Sequence, residues 1–165
     1  MELRTKHSHF STYREKTIEH LFIGEVLRYF WRNGETNVKV LRCEFDRGGY
    51  DLVISRGSVS RFIQFKTALI DSSVKDVKVS LNLVAKPNAC VVLIMVDDAL
   101  NLAGFKWFGA GVGLPFPDIK SMAIAKHAKA NSKGIKSERI DHRLLKLSVF
   151  ESCADIEDII GKFFE

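Results

Sequence analysis

The sequence predicts an α/β fold: a mixed central sheet flanked by helices, in a single domain spanning residues 1–165. Three stretches carry that expectation. Residues 89–96 (ACVVLIMV) are a continuous apolar run of strand length, as in a central strand buried on both faces. Residues 49–67 (GYDLVISRGSVSRFIQFKT) read as two short strands joined at Arg56-Gly57-Ser58. Residues 16–33 (KTIEHLFIGEVLRYFWRN) put Ile18, Leu21, Phe22, Val26, Tyr29 and Phe30 at helical spacing and end on Asn33-Gly34, a good helix stop.

In chain order, residues 1–15 are polar and mixed in charge, and are expected as a loose N-terminal arm. Ser11 or Thr17 can cap the first helix. Residues 37–45 (NVKVLRCEF) follow as a strand, with a loop at Asp46-Arg47-Gly48-Gly49 before the hairpin. Residues 77–85 carry both strand alternation and helix-compatible leucines, and the expectation leans to a short helix ending before Pro87. After the central strand, Asp97-Asp98 turns the chain and residues 101–108 return it as another strand. Residues 109–117 are glycine- and proline-rich, with no βαβ context that would make them a dinucleotide loop. Asp118 is placed to cap a lysine-rich helix running to about Asn131. Residues 143–150 read as a late strand, and residues 154–164 as a C-terminal helix with Ile156, Ile159, Ile160 and Phe163 on its core stripe. Helices and strands in this order make a layered α/β architecture.

Composition narrows the class. With 165 residues, 46% hydrophobic and 27% charged, the chain can fill one core and lacks the signature of disorder. Its longest apolar runs fall far short of the roughly 18–20 residues of a membrane span, and the N-terminus lacks signal-peptide character. Cys43, Cys90 and Cys153 are widely separated, giving neither a disulfide framework nor a zinc motif, so a cytoplasmic setting is expected. The five histidines show no ligand spacing. The net charge of +5 is unevenly spread: residues 120–146 hold eight Lys/Arg against two Asp/Glu, while residues 147–165 hold one Lys against five acids. A basic field of this kind can gather a polyanion, or can simply keep a protein soluble.

Strand side chains alternate faces, so Gln64 and Lys66 share one face and Phe65 takes the other. Folding the hairpin brings Asp51, at the start of its first strand, toward the end of the second. A carboxylate, a carboxamide oxygen and an ammonium then meet at one end of a sheet. Glu19 and Glu25 lie six positions apart on the first helix, pointing roughly 120° away from each other, so one of them at most faces a common site. Glu25 borders the apolar stripe, beside Leu21, Phe22 and Tyr29. Gly24, costly in a helix interior, suggests close backbone packing there. Taken singly, each residue has an ordinary reading: Asp51 suits a turn, and Gln64 and Lys66 suit the wet face of an edge strand.

Taken jointly, Gly24-Glu25 in an opening helix, a strand, then GYDLV (49–53) and IQFKT (63–67) resemble the PD-(D/E)xK nuclease superfamily. Its restriction-endonuclease-like fold is a mixed central sheet flanked by helices, and the likeness is greatest to its Holliday-junction-resolvase-like and uncharacterised bacterial members. The resemblance covers residues 17–67 and continues into the strand at 89–96. It implies a metal-dependent phosphodiesterase acting on DNA, with Mg2+ or Mn2+ as cofactor. Asp51 corresponds to the active-site acid, Gln64 to the second acidic position, Lys66 to the motif lysine and Glu25 to the helix glutamate. Asp51, Glu25, Gln64 and the Phe65 carbonyl would hold the metal, and Lys66 would position the attacking water. Such chemistry needs hard oxygen ligands around an open cation, and a lysine to offset charge on phosphorus. Lys120, Lys126, Lys129, Lys133, Lys136, Arg139 and Arg143 would contact phosphates, and cutting both strands of a duplex would call for a homodimer.

Two departures bear on activity. Tyr50 stands where proline is expected. Gln64 replaces an acid and removes one negative charge from the metal site. The alternative is therefore a catalytically degenerate nuclease fold that serves as a nucleic-acid-binding or protein-interaction module, which would ignore magnesium. A third reading, an unrelated α/β domain, would hold Asp51 and Lys66 far apart.

Overall fold

The computed structural model describes residues 9–43, 45, 48–130 and 132–165. Among the described residues the first element is helix α1 (Ser11–Arg32), followed by β1 (Val38–Arg42), β2 (Leu52–Arg56), β3 (Val59–Leu69) and β4 (Asp76–Ser80). A 3-10 turn (Leu81–Ala85) leads into β5 (Ala89–Val96) and β6 (Leu102–Gly109). The chain ends with β7 (Ile124–Lys126), β8 (Glu138–Lys146), a second 3-10 turn (Leu147–Val149), β9 (Glu151–Cys153) and α2 (Ile156–Phe164).

Six strands make the main sheet in the order β1-β2-β3-β5-β6-β9. β3 and β5 run parallel, and the other neighbours are antiparallel. A second sheet, β4-β8-β7, stands apart from it. The described residues thus make an α/β domain with a mixed sheet and two helices.

β5 shows how the layers are specified. Its apolar run faces two cores, as a strand buried on both sides must. Cys90, Val92, Ile94 and Val96 pack with Ile18, Phe22, Val26 and Phe30 of α1 and Ile159, Ile160 and Phe163 of α2. Ala89, Val91 and Leu93 pack instead with Val77 and Val79 of β4, Leu83, Phe116, Ile119 and Leu145 of β8. The order of layers is helices, main sheet, second sheet.

Several expectations are corrected. Residues 77–85 do not form one helix. Val77 and Val79 alternate inward as β4, and the chain tightens into a 3-10 turn only after Ser80, whose hydroxyl accepts from Asn82 N. β-branched residues at period two outweigh the leucines here. The lysine-rich helix from Asp118 is absent. Asp118 instead caps a local turn, its carboxylate accepting from Lys120 N at 2.9 Å, and the chain then pairs with β8 as β7, burying Ala125. Its apolar residues are too sparse to make a helix face, whereas one buried alanine suffices for a short strand. Asn131, the expected end of that helix, lies outside the described residues. The late strand begins earlier than expected, at Glu138, and residues 147–149 break from it before β9. In the first strand and its loop, Glu44, Asp46 and Arg47 lie outside the described residues, as do residues 1–8 of the expected arm, whose remainder enters α1 at Ser11.

Gly49 fixes the hairpin against the second sheet. It holds φ at +75°, and a Cβ there would lie 2.5 Å from the Ser80 hydroxyl. A side chain is excluded both by backbone hand and by space. Gly24 has no such role. It is exposed, with nothing within 4 Å of where a Cβ would stand, so the close packing expected of it is not found.

Candidate functional site

The site begins where β2 stops and β3 continues. Their register runs from Arg56↔Val59 to Leu52↔Ile63, with a last main-chain bond from Asp51 N to Ile63 O at 2.8 Å. β3 goes on to Leu69 beside β5. The next donor on its β2 edge is Phe65 N, which donates to Asp51 Oδ2 at 2.7 Å. The Asp51 carboxylate thus replaces the missing strand partner. A strand residue directs N–H and C=O to the same edge, so the Phe65 carbonyl opens toward Asp51 as well.

Helix α1 forms the opposite wall. The rings of Phe22 and Phe65 meet edge to face, with centroids 5.1 Å apart, which seats the helix over β3. Glu15, Lys16 and Glu19 of α1 then join Asp51, Phe65, Lys66 and Thr67 around a cleft of about 220 Å³. Asp51 and Lys66 line the same cleft.

Of the two helix carboxylates lining this cleft, Glu15 is exposed and Glu19 is the buried one. Ile18, Phe22, Val26 and Phe30 are the fully buried stripe of α1. At 100° per residue, Glu19 lies roughly 40° from the centre of that stripe and Glu25 roughly 80°. Glu19 is accordingly 6% exposed. Its Oε2 accepts from Lys16 Nζ at 3.0 Å and its Oε1 is 3.2 Å from Arg42 Nη1. Glu25 pairs with Arg28 and lines a separate cleft with Leu21, Ala99, Asn101 and Phe105. Lys16, Glu19 and Arg42 were not singled out for this site by motif. Helix phase was the available signal for Glu19.

Gln64 is turned elsewhere. It is buried, and its Oε1 accepts from Ser80 N at 3.2 Å in the seam between the sheets. Its neighbourhood is the β4 end that also holds Gly49, and it does not line the cleft with Lys66. Tyr50, beside Asp51, meets Phe62 edge to face; burial and the Cys43 thiol raise its phenol above the ordinary value.

The basic candidates belong to the second sheet and its loops. Lys120, Lys126, Lys129, Lys133 and Lys136 are exposed. Arg143 spends its guanidinium on main chain, donating to the carbonyls of Lys120, Ile140 and His142 at 3.1, 2.8 and 3.0 Å. Arg139 Nη2 lies 3.2 Å from His142 Nε2, and the His142 contact through Nδ1 lowers the Asp141 carboxyl below its usual range. The lysines are therefore better disposed than Arg143 to meet a polyanion.

Asp51 and Glu19 bring hard oxygen donors to the cleft. Carboxylates and main-chain carbonyls are the oxygen ligands a hard cation takes, with waters completing the shell. Among the described residues no three His, Cys, Asp or Glu side chains converge to hold a metal ion. No described helix is long and apolar enough to cross a membrane. No family model, curated protein or solved structure gives a significant match to this chain.

Proposed function

We propose that the cleft between α1 and β3 is the active site of a magnesium- or manganese-dependent phosphodiesterase acting on DNA. The observation that carries this reading is the hydrogen bond from Phe65 N to Asp51 at 2.7 Å, which sets a carboxylate against the Phe65 main chain in one cleft with Lys66. Asp51, the Phe65 carbonyl and Glu19 would hold the cation, with Glu19 in the place first assigned to Glu25. Gln64 contributes only by fixing β3 to β4. When bound, the cation polarises the phosphoryl oxygen and makes its water more acidic. Lys66 orients that water and offsets charge developing on the phosphate. Lys120, Lys126, Lys129, Lys133 and Lys136 supply sequence-independent phosphate contacts, and a homodimer would deliver two such sites to a duplex.

The test is calorimetric binding of Mn2+ with and without short duplex DNA, beside cleavage of plasmid DNA, for the wild type and Asp51→Asn. The amide can still accept from Phe65 N, so the fold is kept while the charge is lost. Expected are binding and cleavage in the wild type, with both lost in the variant. Metal binding that Asp51→Asn leaves intact would overturn the assignment.

A second reading is favoured by one observation. Both oxygens of Glu19 are held by cations and Gln64 is held by Ser80, which leaves the cleft short of negative charge for a divalent ion. On that reading the domain binds nucleic acid or a protein without catalysis. DNA binding indifferent to Mn2+ and to Asp51→Asn, without cleavage, would select it.

A further inference from the structure

We propose that Lys16 and Arg42 form an exchangeable clasp at the cleft, holding Glu19 in the free protein and taking a nucleic-acid phosphate in its place. The inference rests on the reading above only in making the ligand a nucleic acid. Glu19 is the buried acid among the described residues, and it is satisfied by two cations from different elements, α1 and β1. Those cations are themselves wet: the side chains of Lys16 and Arg42 are 61% and 40% exposed, against 8% for Glu19. Their own exposure limits what the two cations gain from Glu19, and a phosphate that recruits them must also outweigh the cost of leaving the buried Glu19 carboxylate with fewer partners. A phosphate offers the same oxygens with more charge, and the guanidinium fork fits it in two-point fashion.

The surroundings favour a phosphate over a neutral ligand. The cleft is about 220 Å³, lined by lysines from both walls, Lys16 and Lys66. Three acids also face it, Glu15, Glu19 and Asp51. A nucleic-acid strand approaching Asp51 must therefore have its charge offset at once; Lys16 lines the cleft, and Arg42 reaches its edge through Glu19. A purely structural role for the two cations makes a different prediction. If they served only to neutralise Glu19, its removal would strengthen anion binding only through the general gain of one positive charge, with Lys16→Gln and Arg42→Gln then having no larger effect than removal of any other surface cation. If the phosphate competes with Glu19, its removal frees both cations and binding tightens.

The experiment is fluorescence anisotropy with a short labelled single-stranded oligodeoxynucleotide, with and without a 5′ phosphate, in EDTA and at low salt. Wild type, Glu19→Gln, Arg42→Gln, Lys16→Gln and the double variant Glu19→Gln/Arg42→Gln are compared, with folding checked by circular dichroism. Expected is a roughly tenfold loss in Arg42→Gln or Lys16→Gln, as for a lost charge-assisted hydrogen bond, and a gain of similar size in Glu19→Gln. The salt slope should fall by about 0.7 for each cation removed. Lys16 is exposed and the double variant leaves no buried unpaired acid, so the test survives if Arg42→Gln fails to fold. A loss confined to the phosphorylated strand assigns the clasp to a terminal phosphate, and an equal loss on both assigns it to backbone diesters. The proposal is overturned if Glu19→Gln binds no tighter than wild type, if Lys16→Gln binds as wild type does, or if no oligonucleotide binds. With no metal and no cleavage in the assay, this result is independent of whether the cleft is catalytic.

Discussion

Arg61 Nε donates to the Phe163 carbonyl at 2.7 Å, joining β3 to the last turn of α2 across 102 positions of sequence. The same guanidinium donates to the carbonyls of Lys162 at 3.0 Å and Ala110 at 2.8 Å. Arg61 is fully buried, and these three carbonyls satisfy it. A helix C-terminus carries partial negative charge and carbonyls without helical partners, and Arg61 answers both. Burial lowers its pKa from the ordinary guanidinium value, yet an arginine stays charged in such a setting.

Replacing Arg61 should therefore loosen α2 from the sheet. Arg61→Met keeps the bulk but strands three carbonyls, and is expected to cost about 3 kcal/mol or more. Arg61→Lys should recover only part of this, because an ammonium cannot span three carbonyls in the guanidinium fork. Urea unfolding measures the cost, and hydrogen exchange in residues 156–164 locates it. A loss below 1 kcal/mol for Arg61→Met would mean that water replaces the guanidinium.

Gln64→Glu restores the acid that the nuclease resemblance lacks. In the observed seam, however, the new carboxylate would sit buried against Ser80 N, away from the cleft. It is expected to destabilise by about 1–3 kcal/mol at pH 7 and to leave Mn2+ affinity unchanged. Burial would raise the carboxyl's folded pKa, so the folded state would take up a proton before the unfolded state does. The deficit should then shrink as pH falls through that raised value toward about 4. A gain in Mn2+ affinity would show instead that the side chain turns into the cleft.

The legible parts of this fold are those in which local pattern and tertiary role agree. β5 could be read because an apolar run has few other homes, and the hairpin because turn chemistry separates two strand-like runs. Asp51 and Lys66 followed from the hairpin alone. β7 of the second sheet was illegible for a physical reason: it has three residues and exists through its pairing with β8, more than ten residues further along the chain. Glu19 could have been found from helix phase, but the motif drew attention to Glu25. Gln64 could not, because its hydrogen bond depends on where β4 lands.

Gly24 offers a direct check on one such misreading. It is exposed within α1, and an added methyl meets no atom within 4 Å. With no packing to justify it, Gly24→Ala should stabilise the protein by about 0.5–1 kcal/mol through helix propensity and unfolded-state entropy. Thermal unfolding measures the change. Destabilisation would reveal a partner that needs the bare backbone.

The three cysteines should separate cleanly by reactivity. Cys43 is partly exposed, while Cys90 and Cys153 are buried. Burial pushes the Cys90 thiol up to about 12, outweighing the opposing effects of Arg61 and Trp107. Burial, then the charge of Asp158, also raises Cys153. Since the thiolate is the reactive form, a maleimide or disulfide reagent near pH 8 should label Cys43 in the native protein and all three cysteines in denaturant. The same shift gives a stability signature. Between about pH 9 and 12 an unfolded chain sheds the Cys90 proton that the folded protein keeps. The unfolded state then binds fewer protons, so stability falls as pH rises through that window, and Cys90→Ser or Cys90→Ala should flatten this part of the curve. Rapid native labelling of Cys90 would mean that the layer between α1 and the sheet opens far more readily than its packing implies.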